Sequence, residues 1–249
     1  MPAAYDTYDY PSYWEGREYE HGAEILAIKS FLKKIPKIDS ILEIGTGYGR
    51  LTPSYIYRGK RVILSDPSGK LLKIARSSFK GKKVKFIHSC LENLPTKLKS
   101  KSIDLAILVR VLHHIENPDE AFSVIKKLIK KNGYFIVEFA NKRHLKAIIS
   151  EFFHGNFTFW LDIFPKDVSG KKAKKSNIPF KNYHPDTIRE MLEKFGFTIL
   201  EERSVSNVRS PFLKKYLSKE TLLFLEKYLQ RLLAKISLGP SIFILAKKQ

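Results

Sequence analysis

The apolar run Ile41-Leu42-Glu43-Ile44 enters Gly45-Thr46-Gly47-Tyr48-Gly49-Arg50 with no spacer between them. A strand that breaks into glycine at alternate positions constrains this chain more than any other feature. Glycine accepts positive φ and leaves bare backbone against which a ligand can lie. Residues 51–58 then read as a short helix, with Pro53 tolerated in its first turn. A helix that starts there turns unpaired N–H groups toward the end of the strand.

The rest of the chain alternates in the same manner. Strands are read at 40–44, 61–65, 84–88, 103–109, 134–140, 197–204 and 241–246. Residues 103–109 are apolar nearly throughout, as a strand buried on both faces requires. Helical spacing falls at 22–34, 68–79, 144–153, 185–195 and 213–236, the last with Leu222, Leu225, Leu229, Leu232 and Ile236 on one stripe. That stripe reads as core or dimer packing ahead of a membrane-surface face. Asn117-Pro118-Asp119-Glu120 is a helix start, with Asn117 as cap and Pro118 at the first position. Its helix is expected to reach Lys131 and stop at Gly133.

Alternation of this kind predicts an α/β fold with right-handed crossovers. We expect a Rossmann-like, seven-stranded, mostly parallel sheet with helices on both faces and the last strand antiparallel. Residues 1–35 form an expected N-terminal aromatic lid and helix, and 36–249 the Rossmann-like domain. Within it, 145–185 and 208–238 are read as insertions that cap the acceptor side.

The glycine turn does not fit a nicotinamide fingerprint. G-x-G-x-x-G counted from Gly45 would put glycine where Arg50 stands. The phosphate-binding lysine of a P-loop is absent as well. The second strand ends at Asp66, about 20 residues on, where a carboxylate can accept from both hydroxyls of a ribose. These pieces together describe a nucleoside site with no demand for phosphate.

At this point the chain resembles the class I S-adenosylmethionine-dependent methyltransferases. Within them it is similar to the small-molecule branch of ubiquinone/menaquinone-biosynthesis enzymes (methyltransferase type 11). The resemblance covers residues 40–141. It rests on the glycine turn, on Val62 to Ser68, on Leu91-Glu92-Asn93-Leu94-Pro95, and on Ile103-Asp104-Leu105-Ala106 followed by Val111-Leu112-His113-His114-Ile115. It continues through Leu128 to Gly133 into Tyr134-Phe135-Ile136-Val137. The resemblance implies S-adenosylmethionine as cofactor, with Gly45, Gly47 and Gly49 along its methionine part. Asp66 would hold the ribose, Pro67 would pack near the adenine, and the Leu91 backbone would meet the adenine edge. Glu43, Thr46 and Glu92 complete the implied cofactor set. Cys90 stands where many relatives carry an acid.

Other residues are candidates by position. Arg110 ends the fourth strand, where open α/β sheets place ligands, and could meet cofactor or acceptor or pair with an acid. Arg17 follows the aromatic run Tyr8, Tyr10, Tyr13, Trp14 and is a partner for the methionine carboxylate if that run folds over the cofactor. His113, His114, Tyr183 and His184 are the candidate bases, each with a packing or capping role as its alternative.

Composition narrows the remaining choices. A chain of 249 residues fits one domain with insertions. A single cysteine, Cys90, excludes an internal disulfide and a cysteine-built zinc site, and we expect no metal. With no basic start, no apolar leader in 1–20 and no spanning run, the expected compartment is the cytoplasm. The net charge of +20 fits either heat adaptation or an anionic partner. The lysines are dispersed, apart from Lys166, Lys171, Lys172, Lys174, Lys175 and Lys181. By analogy with the family, Val109-Arg110-Val111-Leu112 lacks the motif of enzymes that methylate base amines. Cys90, on the cofactor side, does not suit cytosine C5 chemistry. The expected reaction is methyl transfer to an O, N or C atom of a small-molecule acceptor. RNA methylation, or nucleic-acid binding without catalysis, is the alternative.

Overall fold

The computed structural model describes Asp6, residues 9–168 and residues 179–249. Tyr8 and the lysines at 171–175 lie outside the described residues. In chain order the elements are α1 (Glu18–Leu32), β1 (Ser40–Ile44), β2 (Arg61–Asp66), α2 (Gly69–Ser78), β3 (Val84–His88), α3 (Leu94–Lys97) and β4 (Ile103–Leu108). There follow α4 (Pro118–Leu128), β5 (Ile129–Ala140), α5 (Leu145–Phe153), β6 (Lys166–Asp167), β7 (Lys181–Asn182) and α6 (Pro185–Lys194). The chain ends with β8 (Phe197–Val205), α7 (Pro211–Tyr216), α8 (Lys219–Ala234) and β9 (Ser241–Lys248).

Seven strands form one sheet in the order β3-β2-β1-β4-β5-β9-β8. Pairs from β3 to β5 are parallel, and β9 runs antiparallel to both β5 and β8. The last strand is therefore the antiparallel one, as the sequence predicts. Strand order reverses between β1 and β4, so their carboxyl ends open a crevice. The buried apolar side chains of the central strands divide between two cores. Leu42, Ala106, Leu108 and Val137 face α4 and α6 through Phe122, Ile125, Ile188 and Leu192. Ile41, Leu105, Ile107 and Ile136 face α1 through Ala27, Ile28 and Phe31.

Four expectations are corrected. Residues 51–58 form two 3-10 turns, Thr52–Ser54 and Ile56–Arg58, because the Thr52 and Tyr55 hydroxyls are drawn onto the buried Glu43 carboxylate. The helix begun at Pro118 ends at Leu128, since Ile129 already pairs with Ile103; Gly133 lies inside β5, its Cα side pressed against the Asp104 carbonyl. The expected helix 213–236 is two helices, because Ser218 caps α8 by accepting from the Thr221 N–H. Its apolar stripe also divides: Leu222 is buried and Leu229 packs beside it, while Leu225, Leu232 and Ile236 are exposed. Between α5 and α6 the described residues form a turn at Phe159–Leu161 and the small β6–β7 ribbon.

One buried carboxylate fastens α1 to the carboxyl edge of the sheet. Glu24, fully buried, accepts from Arg50 Nη2 at 2.5 Å and from Arg110 Nε at 2.7 Å. Burial pushes its carboxyl up, but the Arg110 and Arg50 guanidinium groups outweigh this and hold it below the usual carboxylate range. Removing one partner of such a cluster leaves a buried charge uncompensated. Glu24→Ala should therefore cost about 3–5 kcal/mol of unfolding free energy in urea titration. Phe31→Ala, which empties the α1 side of the core, should cost about 3–5 kcal/mol in the same measurement.

Candidate active site

β1 runs into the turn with φ of +71° at Gly45, +56° at Gly47 and +82° at Gly49. Any side chain resists this region. Space forbids one as well at two of the three. A Cβ on Gly45 would lie 2.2 Å from Val111 Cγ2, and one on Gly49 would lie 2.5 Å from Phe79 Cε2. Gly49 therefore serves packing, while Gly45 and Gly47 keep a crevice open.

β2 holds this turn. The Gly45 and Thr46 N–H groups donate to the Ser65 carbonyl at 2.8 and 3.0 Å. Asp66 Oδ2 accepts from the Gly47 N–H at 2.7 Å, and Oδ1 from the Ser68 N–H at 2.8 Å. Each oxygen keeps lone-pair capacity for a further donor. Burial pushes the Asp66 carboxyl up to about 6, against the two N–H bonds that pull it down.

Six of the expected residues come together on this crevice: Gly45, Gly47, Asp66, Pro67, Arg110 and His114. Tyr10, Leu71 and Val111 join them. Apolar walls, a bare backbone floor and an acid with spare acceptor capacity fit an adenosyl thioether, which carries hydroxyls and no phosphate. The other expected residues point elsewhere. Glu43 is buried under the hydroxyls of Thr46, Thr52 and Tyr55, so it pins the turn, and Thr46 is turned back onto it. The Leu91 side chain is part of the core on the α4 side, which leaves its expected backbone role untouched, and Glu92 faces solvent. Arg17 lies on a neighbouring cavity.

The candidate bases separate too. His114 Nδ1 lies 2.6 Å from the Pro179 carbonyl, and since a carbonyl can only accept, Nδ1 is the donor of that bond. His113 is buried with its ring 4.3 Å from that of Phe180, a packing position. His184 caps α6, taking the Asp186 N–H on Nδ1 at 3.2 Å, and burial pushes its pKa down. The Tyr183 hydroxyl is buried beneath the Leu112 carbonyl, and burial pushes it up to about 12. Neither of the last two lines the crevice.

Arg110 is the hinge between the crevice and the second cavity, since it borders both. It closes β4 at φ +63°, its N–H donates to Glu138 Oε2 at 2.7 Å, and its guanidinium pairs with Glu24. Strained backbone of this sort persists only where its surroundings over-determine it. The second cavity is walled by Tyr13, Trp14 and Arg17 from the N-terminal segment, by Asn141 and His144 after β5, and by Arg209 after β8. The Arg50 guanidinium stacks 3.4 Å from the Trp14 ring centroid, and the Tyr10 ring lies edge-on to Tyr48 over the glycine turn. Sequence reasoning missed Glu20, His144, Ser206 and Arg209 on this cavity. No motif surrounds them, whereas Tyr10 and Val111 on the crevice belong to the aromatic run and the motif already singled out.

Known proteins bear on this geometry. Residues 42–137 match the family described as a methyltransferase domain. The chain is 25% identical over 215 residues to a tRNA 5-carboxymethoxyuridine methyltransferase of Escherichia coli K12, covering 84% of this chain and 79% of the relative. It is 28% identical over 176 residues to a ubiquinone biosynthesis O-methyltransferase of Pelagibacter ubique, covering 70% and 71%. In fold it is similar to a Thermotoga maritima SAM-dependent methyltransferase described as a possible histamine N-methyltransferase, with a TM-score of 0.61 at 17% identity over 99% and 98% of the two chains. It is also similar to the Burkholderia thailandensis 1,6-didemethyltoxoflavin-N1-methyltransferase solved with S-adenosylhomocysteine, with a TM-score of 0.61 at 16% identity over 99% and 88%. With the sheet order, the glycine turn and the acid closing β2 already in hand, these likenesses converge: residues 42–137 match a methyltransferase domain, and the chain is similar in fold to S-adenosylmethionine-dependent methyltransferases.

Proposed function

We propose that the crevice of Gly45, Gly47, Asp66 and Pro67 takes S-adenosylmethionine, and that the adjoining cavity takes a small-molecule acceptor methylated on an O, N or C atom. The carrying observation is that the two spaces meet at Arg110. Bound there, the cofactor supplies an electrophilic methyl group on a sulfonium, a centre reactive enough that alignment and exclusion of water are the protein's main tasks. Gly45 and Gly47 offer bare backbone to it, and Asp66 accepts from its ribose hydroxyls. The segment 1–35 acts as lid over both spaces, with 145–185 and 208–238 as the acceptor-side cap. The positions of Trp14, His144 and Arg209 on the cavity wall support that division. If the acceptor must lose a proton, His114 is the candidate base, because it is the histidine that borders the crevice. Among the described residues no helix is long and apolar enough to cross a membrane. We assign the activity to the cytoplasm, a reading supported by the single cysteine.

An RNA acceptor is the second reading, favoured by the net charge of +20 and by the E. coli relative named for tRNA. A labelled methyl donor offered with a metabolite extract and, separately, with bulk tRNA tests the choice. Label in a small molecule is expected; label recovered only in nucleosides would overturn the small-molecule assignment.

The Asp66 role has its own test. Asp66→Ala should weaken S-adenosylhomocysteine binding by about 1–3 kcal/mol in titration calorimetry. Asp66 is a carboxylate above pH 6 and a carboxylic acid below it. Protonation converts an acceptor into a donor, so affinity of the parent protein should fall as pH drops through 6, and the variant should lose that dependence.

A further inference from the structure

The second cavity carries charge that the protein itself does not balance. One of its three arginines is neutralised within the protein, since Arg110 pairs with Glu24, and the cavity's own acid, Glu20, is taken up by Lys214, which lies outside the cavity, at 2.5 Å. Arg17 and Arg209 remain. Among the described residues neither has an ion pair; Arg17 stacks 4.2 Å from the Tyr13 ring centroid. His144, between them in the wall, adds no negative charge: burial, then the Arg209 guanidinium, holds it toward its neutral form. Two polar atoms at the same cavity are buried with no hydrogen-bond partner, Glu20 Oε2 and Ser206 Oγ, in residues 6% and 2% exposed. Ser206 is held at φ +64°, a conformation serine seldom adopts. Unpaired guanidinium groups attract a carboxylate in a two-pronged geometry. A buried carboxylate oxygen without a donor seeks an N–H or O–H.

We propose that the acceptor is a small organic acid that also carries a hydroxyl or amine: Arg17 and Arg209 hold its anionic group, and Glu20 and Ser206 meet its donor. This rests on the reading of the cavity as the acceptor site. It differs from the expectation that Arg17 serves the methionine carboxylate, because Arg17 borders this cavity and not the crevice.

The test uses the full-length protein saturated with S-adenosylhomocysteine, and salicylate as probe, with salicyl alcohol as its uncharged counterpart. Salicylate should give a saturable rise in Tm that salicyl alcohol does not. Arg209→Ala should weaken that response at least tenfold in half-saturating concentration, and Arg17→Ala with Arg209→Ala should abolish it, while the Tm shift from S-adenosylhomocysteine in Arg209→Ala matches that of the parent. Both residues have solvent-facing or half-buried side chains, so the variants should fold. Equal responses to the two probes, no response to either, or a salicylate response untouched by the double substitution would overturn the acid assignment. Loss of the S-adenosylhomocysteine shift in the parent protein is a separate outcome and would instead sink the cofactor reading beneath it.

Discussion

Glu24 is the point through which the site is assembled. Its carboxylate collects Arg50 from the end of the glycine turn and Arg110 from the end of β4, and it sits on α1, which follows the aromatic N-terminal segment. Helix, turn and strand end are thereby held in one geometry. Arg50 in turn carries Trp14 on its guanidinium face. A buried cluster of this type adds little net stability over a well-packed apolar substitute. It does, however, fix which groups face the two cavities, and apolar packing would leave that choice open. The same cluster explains why glycine is missing from the sixth position of the turn: a nicotinamide fold needs close helix packing there, and this fold needs a cation.

The second constraint is Asp66. It ties the turn after β1 to the start of α2 through the Gly47 and Ser68 N–H groups. The same carboxylate thus shapes the crevice and keeps acceptor capacity for a ligand. Its burial raises the cost of ionisation, and two backbone donors offset part of that cost. Glu43, the other acid of this region, takes three hydroxyls and is spent on holding the turn. Two acids near one turn therefore divide structural and ligand-facing duties by the donors around them.

The second cavity follows a different logic. Its walls come from the N-terminal segment, from the chain after β5 and from the chain after β8, which are far apart in sequence. Irregular segments can be brought together here because the sheet supplies a rigid edge at the carboxyl ends of β4, β5 and β8.

Much of the scaffold was legible in the sequence alone. Strand positions, the antiparallel last strand, the glycine turn and the acid closing β2 all follow from local patterns: period-two apolar runs, alternate glycines, one acid at a strand end. Such patterns are read over a few residues, and the backbone obeys them wherever the segment is buried. What only the tertiary structure decided is where side chains converge. Arg110 meets Glu24 across 86 positions, Thr46 turns inward while Gly47 opens outward, and Arg209 reaches the second cavity from a loop with no motif. Helix ends at 128 and 216 escaped sequence reading for the same reason, since strand pairing and a serine cap overrode helical spacing that continued past them. Local periodicity specifies elements; long-range charge and packing select which of their side chains become a site.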